Sequence, residues 1–251
     1  MSMQNQLFSR SPLVAALALA ALLTACGGGG GGGSPAQPVA GTTFPLQTGI
    51  AKLYNAGLQK TMTVSGTAKN SAGTSYPVSG TATFTQSPAG STTFNGQAAY
   101  VSTVTITGNI TVNGQTLPVA STDQVYLSTT YSPLGETSAS ATCVAQTPSS
   151  YPATVTIGQT GSVVTYACSS TSQPPTPLGT EAISFVMTQG NSATTATFTE
   201  ITTLTNPAGQ LVGTAQVNYL IDTSGNLSLI SATELLTLQN GEQSNLTFTA
   251  Q

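Results

Sequence analysis

The sequence predicts an all-β fold: an antiparallel meander that closes into a barrel or a sandwich, with one short N-terminal helix. Three observations carry that expectation. From Thr61 onward apolar and hydroxyl side chains alternate, as Met62, Val64 and Ala68 do against Thr61, Thr63 and Thr67, which is the spacing of strands with one buried face. Turn-forming clusters of Gly, Asn, Ser and Pro interrupt the alternation at regular intervals. Only 4% of residues are charged, against about 25% in a typical soluble domain, while 39% are hydrophobic. An outer surface must therefore be built from Thr and Ser hydroxyls.

Ahead of that pattern lies a different kind of sequence. Arg10 precedes an unbroken apolar run from Leu13 to Leu23. A membrane-spanning helix needs about 20 apolar residues. This shorter run with a basic start reads as a secretory signal peptide over residues 1–25. Leu23-Thr24-Ala25-Cys26, followed at once by Gly27 to Gly33, resembles the lipobox of bacterial lipoproteins. The resemblance implies cleavage before Cys26, a diacylglyceryl thioether on its sulfur and acylation of the new amino group. The membrane is then engaged through the acyl anchor on Cys26, and Gly27 in place of Asp implies the outer membrane. Residues 26–44, rich in Gly and Pro, read as a flexible tether with a root-mean-square span of about 25 Å.

The folded domain is expected over residues 45–251. Leu46, Ile50, Leu53, Tyr54 and Leu58 fall at helical intervals. They predict a short helix between Pro45 and Lys60, with Thr48 as its N-cap, plugging one end of a β core. Strands follow, with turns at Asn70-Ser71-Ala72-Gly73, Ser87-Pro88-Ala89-Gly90 and Asn113-Gly114. The last is the strongest hairpin signal, because both residues accept positive φ. Pro118 marks the next strand as an edge or irregular one, since it cannot donate to a ladder. Residues 153–157 and 162–167 flank Gly158-Gln159-Thr160-Gly161, which predicts a tight hairpin. Five further strands are expected between Glu181 and Ala250.

Tyr131-Ser132-Pro133-Leu134-Gly135 echoes Thr176-Pro177-Leu178-Gly179, so two related lobes are an alternative arrangement within the domain. The whole chain resembles a group of Gly-tethered all-β lipoproteins of Gram-negative bacteria. The matching features are Val64-Ser65-Gly66-Thr67, the Tyr131 to Gly135 segment and the turn from Val155 to Gly161. That resemblance implies an anchor and brings no activity with it.

Charge and chemistry narrow the function by exclusion. Lys52, Lys60 and Lys69 are the only cations after the signal, and all seven acids lie beyond Asn70. There is no basic stripe for nucleic acid and no polybasic cluster for anionic lipid. With Cys26 carrying lipid, Cys143 and Cys168 remain in an oxidising compartment and are expected to form a disulfide. Without a CxxC pair or a histidine, they do not complete a metal site. A chain with no histidine cannot run Ser-His-Asp or Cys-His machinery. Asp222-Thr223-Ser224-Gly225 reads as a turn, not as an aspartic-protease motif or a calcium loop. Glu181, Glu200 and Glu234 lie on expected strands and are the candidates for a glycosidase-like carboxylate pair. Acids set singly on strand faces are more often solvated, however, and the chain has no Trp to platform a sugar. The eight tyrosines read as sheet residues packing at the rim of the core, with a pocket lining as the alternative. The expectation is therefore a lipid-anchored, non-catalytic structural or interaction module without metal or cofactor, meeting a protein partner at exposed sheet edges. The alternative is a carrier or sensor that holds a lipid or small apolar ligand in a barrel cavity.

Overall fold

The computed structural model describes residues 41–147, 150–237 and 241–251. The signal segment, Cys26 and the glycine run lie outside the described residues. In chain order the elements are β1 (Thr43–Phe44), α1 (Leu46–Ala56), β2 (Leu58–Lys69), β3 (Ser75–Gln86), β4 (Gly90–Phe94), β5 (Gln97–Val112), β6 (Gln115–Leu127) and β7 (Pro133–Thr137). There follow β8 (Ala141–Ala145), β9 (Val155–Thr156), β10 (Thr160–Ser170), β11 (Pro177–Gln189), β12 (Thr195–Thr205), β13 (Leu211–Asp222), β14 (Leu227–Thr237) and β15 (Gln243–Ala250). All the strands except β1, β4 and β9 join one 12-strand antiparallel barrel. It is sealed where β3 lies against β5, from Val78↔Val112 to Gln86↔Val104. The meander closes as a barrel and not as a sandwich.

Which residues face inward explains the closure. Met62, Val64, Ile106, Phe185, Phe198 and Ile221 are almost without solvent contact. Thr61, Thr63, Ser65 and Thr67 on β2, and Thr103, Thr105, Thr107 and Asn109 on β5, alternate with buried positions and face out. Hydroxyls oppose hydroxyls across this outer face. Thr61 pairs with Thr83, which pairs with Thr107, and Thr180 Oγ1 lies 2.7 Å from Thr205 Oγ1. Such cross-strand pairs contribute roughly 0.2–1 kcal/mol each. A hydroxyl wall takes the place of surface charge.

Two glycines let the β3–β5 seam close. A Cβ on Gly80 would meet the Asn109 carbonyl and, at 2.7 Å, Ile110 Cα. One on Gly108 would meet the Thr81 carbonyl and, at 2.6 Å, Ala82 Cα. The strands approach so closely that only hydrogen fits. Gly80→Val is accordingly expected to lower the unfolding free energy by more than about 3 kcal/mol in a urea titration. Gly90→Ala, with open space around it, should leave it nearly unchanged, and equal behaviour of the two variants would contradict the seam argument.

The turns follow their chemistry. Asn113-Gly114 joins β5 to β6 with φ of 50° and 75°, and Asn95-Gly96 does the same between β4 and β5 at 48° and 77°. The small polar residues of β4 hide this second hairpin in the sequence. Ser87-Pro88-Ala89-Gly90 is a break within one lane of the sheet, because β3 and β4 pair successive stretches of β5. Ser87 bridges the break: its N–H donates to Thr103 O, its Oγ accepts from Thr103 N–H and its carbonyl accepts from Ser102 Oγ. Pro118 sits where an edge was expected. β7 pairs only with Gln124–Leu127 of β6, so among the described residues no strand lies beyond residues 116–123.

The N-terminal segment stops one end of the barrel. β1 pairs with β9, setting Phe44 opposite Val155, and both side chains are buried. α1 adds Leu46, Ile50 and Leu53 to the same plug. Among the described residues, Thr43 and Phe44 at the end of the expected tether form β1, with Phe44 buried. Two expectations are corrected here. The helix starts at Leu46 behind Pro45, without a side-chain cap. The Gly49 N–H already donates to the Pro45 carbonyl, so Thr48 lies inside the first turn and is not the N-cap. Residues 155–156 pair with β1 and not with β10, so 158–161 is no two-stranded hairpin. Burial of Val155 beside Phe44 outweighs the local turn signal.

Candidate functional site

Beneath α1 the inward side chains leave a cavity of about 70 Å³. Its wall sets a group of carboxyls and phenols among apolar side chains such as Phe84, Val104 and Ile183. Glu136 on β7, Glu181 on β11 and Glu200 on β12 contribute carboxyls. Tyr54 of α1, Tyr151 of the strap between β8 and β9, Tyr166 of β10 and Tyr219 of β13 contribute phenols. Register places the acids. Glu181 stands opposite Tyr166 and Leu204, Glu200 opposite Phe185 and Val217, and Glu136 opposite Val125 and Cys143. Each acid occupies an inward lane, where a period of two puts every second side chain.

Burial governs the electrostatics. Glu181 has no solvent contact, and neither of its carboxyl oxygens has a hydrogen-bond partner. Burial pushes its pKa up to about 7, with the Glu200 charge adding to the rise and the adjoining Glu136 carboxyl partly offsetting it. Glu136 is raised well above the usual carboxyl range, by burial first and then by the charge of Glu181. The two face each other closely enough to titrate together, although their oxygens do not meet in well-formed hydrogen-bond geometry. Glu200 keeps some accessible surface although it lies deep in the barrel. Burial raises its pKa, and a hydrogen bond donated by Tyr151 Oη to its Oε2 at 2.7 Å pulls the other way. Burial and then the neighbouring carboxyls push the phenols of Tyr54, Tyr166 and Tyr219 up, which keeps them neutral donors. Asp123 faces inward on β6 and is raised to about 6 by burial.

Nothing cationic answers these acids. Among the described residues no Lys or Arg lines the chamber. Lys52 is spent on the outside, where its Nζ donates to Ser224 O at 2.8 Å and to Asn226 Oδ1 at 3.2 Å. Two more buried polar atoms in the chamber wall, Thr202 Oγ1 and Gln86 Nε2, also lack partners. Among the described residues, the one set of three acidic or thiol groups with donor atoms within 4.8 Å of one another is Cys143, Cys168 and Glu181. Two of its members are joined as a disulfide. That bond links directly opposed residues of β8 and β10, as the cysteine count leads one to expect, and it runs beside the Glu181 carboxyl.

The structure overturns the reading of the acids as solvated residues scattered over strand faces. It brings Glu181 and Glu200 into one chamber and adds Glu136. The sequence signal for Glu136 was weak, because a register shift at Tyr126/Leu127 breaks the alternation just before it. Glu234 points into the barrel elsewhere, beside Ala215 and Leu246, with its pKa raised to about 7 by burial. Asp222 is the turn residue expected: its Oδ1 accepts from Ser224 N–H and Asn226 N–H, and its pKa is lowered, mainly by the Asn226 backbone bond. Of the eight tyrosines, four line the chamber; Tyr126 stacks on Phe94 and Tyr100 on Tyr131 instead. Closure of β3 on β5 removes the long sheet edges and, among the described residues, leaves short ones that include β4 and residues 116–123.

Chemically, the chamber can hold protons on its carboxyls or exchange them for a cation. Comparison with protein-family models, with curated proteins and with solved structures finds no match to this chain.

Proposed function

We propose that the chain is an exported lipoprotein, held at the outer membrane by acyl groups on Cys26, whose barrel serves there as a non-catalytic binding module. The observation that carries this reading is the outer wall of the barrel. A barrel that spans a membrane presents an apolar band about 25 Å tall to lipid. Here the outward lanes of β2 and β5 carry Thr, Ser and Asn, and the apolar residues face in. Such a barrel belongs in water, so a membrane location depends on the lipobox-like cysteine and its tether. The disulfide agrees with an oxidising compartment.

The non-catalytic part of the reading rests on enclosure. Glu136 and Glu181 are 6% and 0% exposed, and α1 and the strap lie over them, whereas a hydrolytic acid pair has to reach a substrate bond. A lipid-carrier reading has less support. A cavity of about 150 Å³ holds one benzene, and this one measures about 70 Å³ and is lined by three carboxyls.

Membrane fractionation tests the anchor. The full chain expressed in a Gram-negative host should appear in the outer-membrane fraction, with an intact mass equal to residues 26–251 plus acyl groups. Cys26→Ala should release or stall it. Unmodified protein in the soluble fraction would sink the reading.

A further inference from the structure

We propose that the chamber beneath α1 is a binding site for a small organic cation of the protonated-amine class, held between the Glu136–Glu181 pair and Glu200. The proposal goes beyond the anchored-module reading and does not depend on where the protein is held.

Three features of the wall carry it. First, the carboxyls are uncompensated: Glu181 is fully buried with both oxygens unpartnered, and no basic side chain lines the chamber among the described residues. A buried carboxylate without a counter-charge is unstable and holds its proton instead. A ligand bearing N–H donors and a positive charge removes both defects together. Second, Thr202 Oγ1, on a side chain 1% exposed, is another buried acceptor in the same wall without a partner. It does not belong to the acid cluster, and Gln86 Nε2 in the same wall is an unpartnered donor, so the unmet polar groups extend beyond the carboxyls to the chamber as a whole. Third, four phenol-bearing rings enclose the space, and aromatic rings around a carboxyl-lined pocket suit an alkylammonium.

Geometry decides between an amine and a metal. A calcium or magnesium ion gathers oxygens at about 2.0–2.6 Å, so its ligands lie within a few ångströms of one another. Glu136, Glu181 and Glu200 do not form a set with oxygens within 4.8 Å of one another. An ammonium group can sit at the Glu136–Glu181 pair while its carbon chain or a second donor extends toward Glu200 and Tyr151. The volume limits the ligand to a few heavy atoms. Binding to the protonated cluster displaces one carboxyl proton to solvent, so charge balances and proton and ligand compete.

That competition involves every titratable group facing Glu181. Glu136 comes from β7 and Glu200 from β12, while Asp123 on β6 lies outside the chamber lining and acts on Glu136. The phenols of Tyr54, Tyr151, Tyr166 and Tyr219 face it from α1, the strap, β10 and β13, and they stay neutral.

The test is isothermal titration calorimetry on the full chain in detergent, with methylammonium chloride and ethylammonium chloride as probes and sodium, calcium and magnesium chlorides as controls. The expected result is saturable one-to-one binding of an alkylammonium near pH 8, with proton release and weaker binding near pH 5.5. Glu181→Gln and Glu200→Gln should each weaken binding by about ten-fold or more, the scale of removing a buried charged partner, and circular dichroism checks that both variants fold. Absence of saturable alkylammonium binding would overturn the proposal and leave a chamber of water and protons. So would binding of calcium or magnesium in place of the amine, or amine binding that survives both substitutions.

Discussion

The protein should be most stable in mildly acidic solution and should lose stability as pH rises toward 8. Glu181 is raised from 4.5 to about 7, Glu234 likewise, and Asp123 from 3.8 to about 6, all by burial. A carboxyl whose folded pKa lies above its unfolded value binds its proton more tightly in the folded state. Between those two values the folded protein carries more protons, so stability falls as pH rises. The loss begins above about 4 and is complete above about 7 for these groups. Below it, little is lost. Asp222 has the opposite sign, with stability lost as pH falls below its ordinary range, but it is exposed in a turn and its effect is screened. For Glu181 alone the shift corresponds to about 3 kcal/mol at full ionisation. In a domain of this size that is a fall in Tm of about 10 °C. Glu181→Gln should therefore be more stable than the parent near pH 8 and close to it near pH 5, in thermal melts without added amine. A melting temperature that is flat or rising across that range would contradict the burial of these acids. Because the melts contain no ligand, a flat amine titration and a flat pH profile are separate failures.

How much of this was legible in the sequence depends on distance along the chain. Met62, Val64 and Ala68 announce β2 because alternation is local, and Asn113-Gly114 announces its hairpin because two residues suffice to set φ. That the meander closes was expected; where it closes was not legible. It depends on Gly80 lying against Ile110 and Gly108 against Ala82, contacts between strands that are not consecutive in the meander. The Phe44–Val155 pairing spans more than a hundred residues and defeats a stronger local signal at 158–161. The chamber failed for a different reason. Glu181, Glu200 and Glu234 were identified as strand residues, but charge argued for an outward face, and charge is a good guide only where the inside is wholly apolar. Phase was the better guide: Glu181 follows the inward lane of Ile183, Phe185 and Met187. The Thr-rich outward lanes carry the same message, since a surface already supplied with hydroxyls leaves the few acids unneeded outside.

Breaking the Cys143–Cys168 bond should loosen the cover of the chamber more than its wall. The bond joins opposed residues of β8 and β10 at a sequence separation of 25. Within that loop lie the strap, which brings Tyr151 to Glu200, and β9, which sets Val155 opposite Phe44. In the chain-entropy account a loop of that length is worth about 3.5 kcal/mol. The double variant Cys143→Ala/Cys168→Ala should lose roughly that much in a urea titration, and the unmutated protein under reductant should lose a similar amount without any change of side-chain volume. Agreement between the two separates the cross-link from the cavity an alanine leaves opposite Glu136. The local consequence is sharper. β1 and β9 pair over only two residues each, so their alignment depends on the strap being pinned at both ends. Hydrogen exchange should therefore quicken at residues 150–157 and in α1, while the β12–β13 ladder, paired from Thr195↔Asp222 to Thr205↔Leu211, keeps its protection. With the strap released, Glu200 loses the phenol that donates to it and part of the burial that raises its pKa; burial is the larger cause, so its pKa should fall toward the ordinary carboxyl value. Uniform acceleration across the barrel, or none at the strap, would show that the disulfide serves global stability alone.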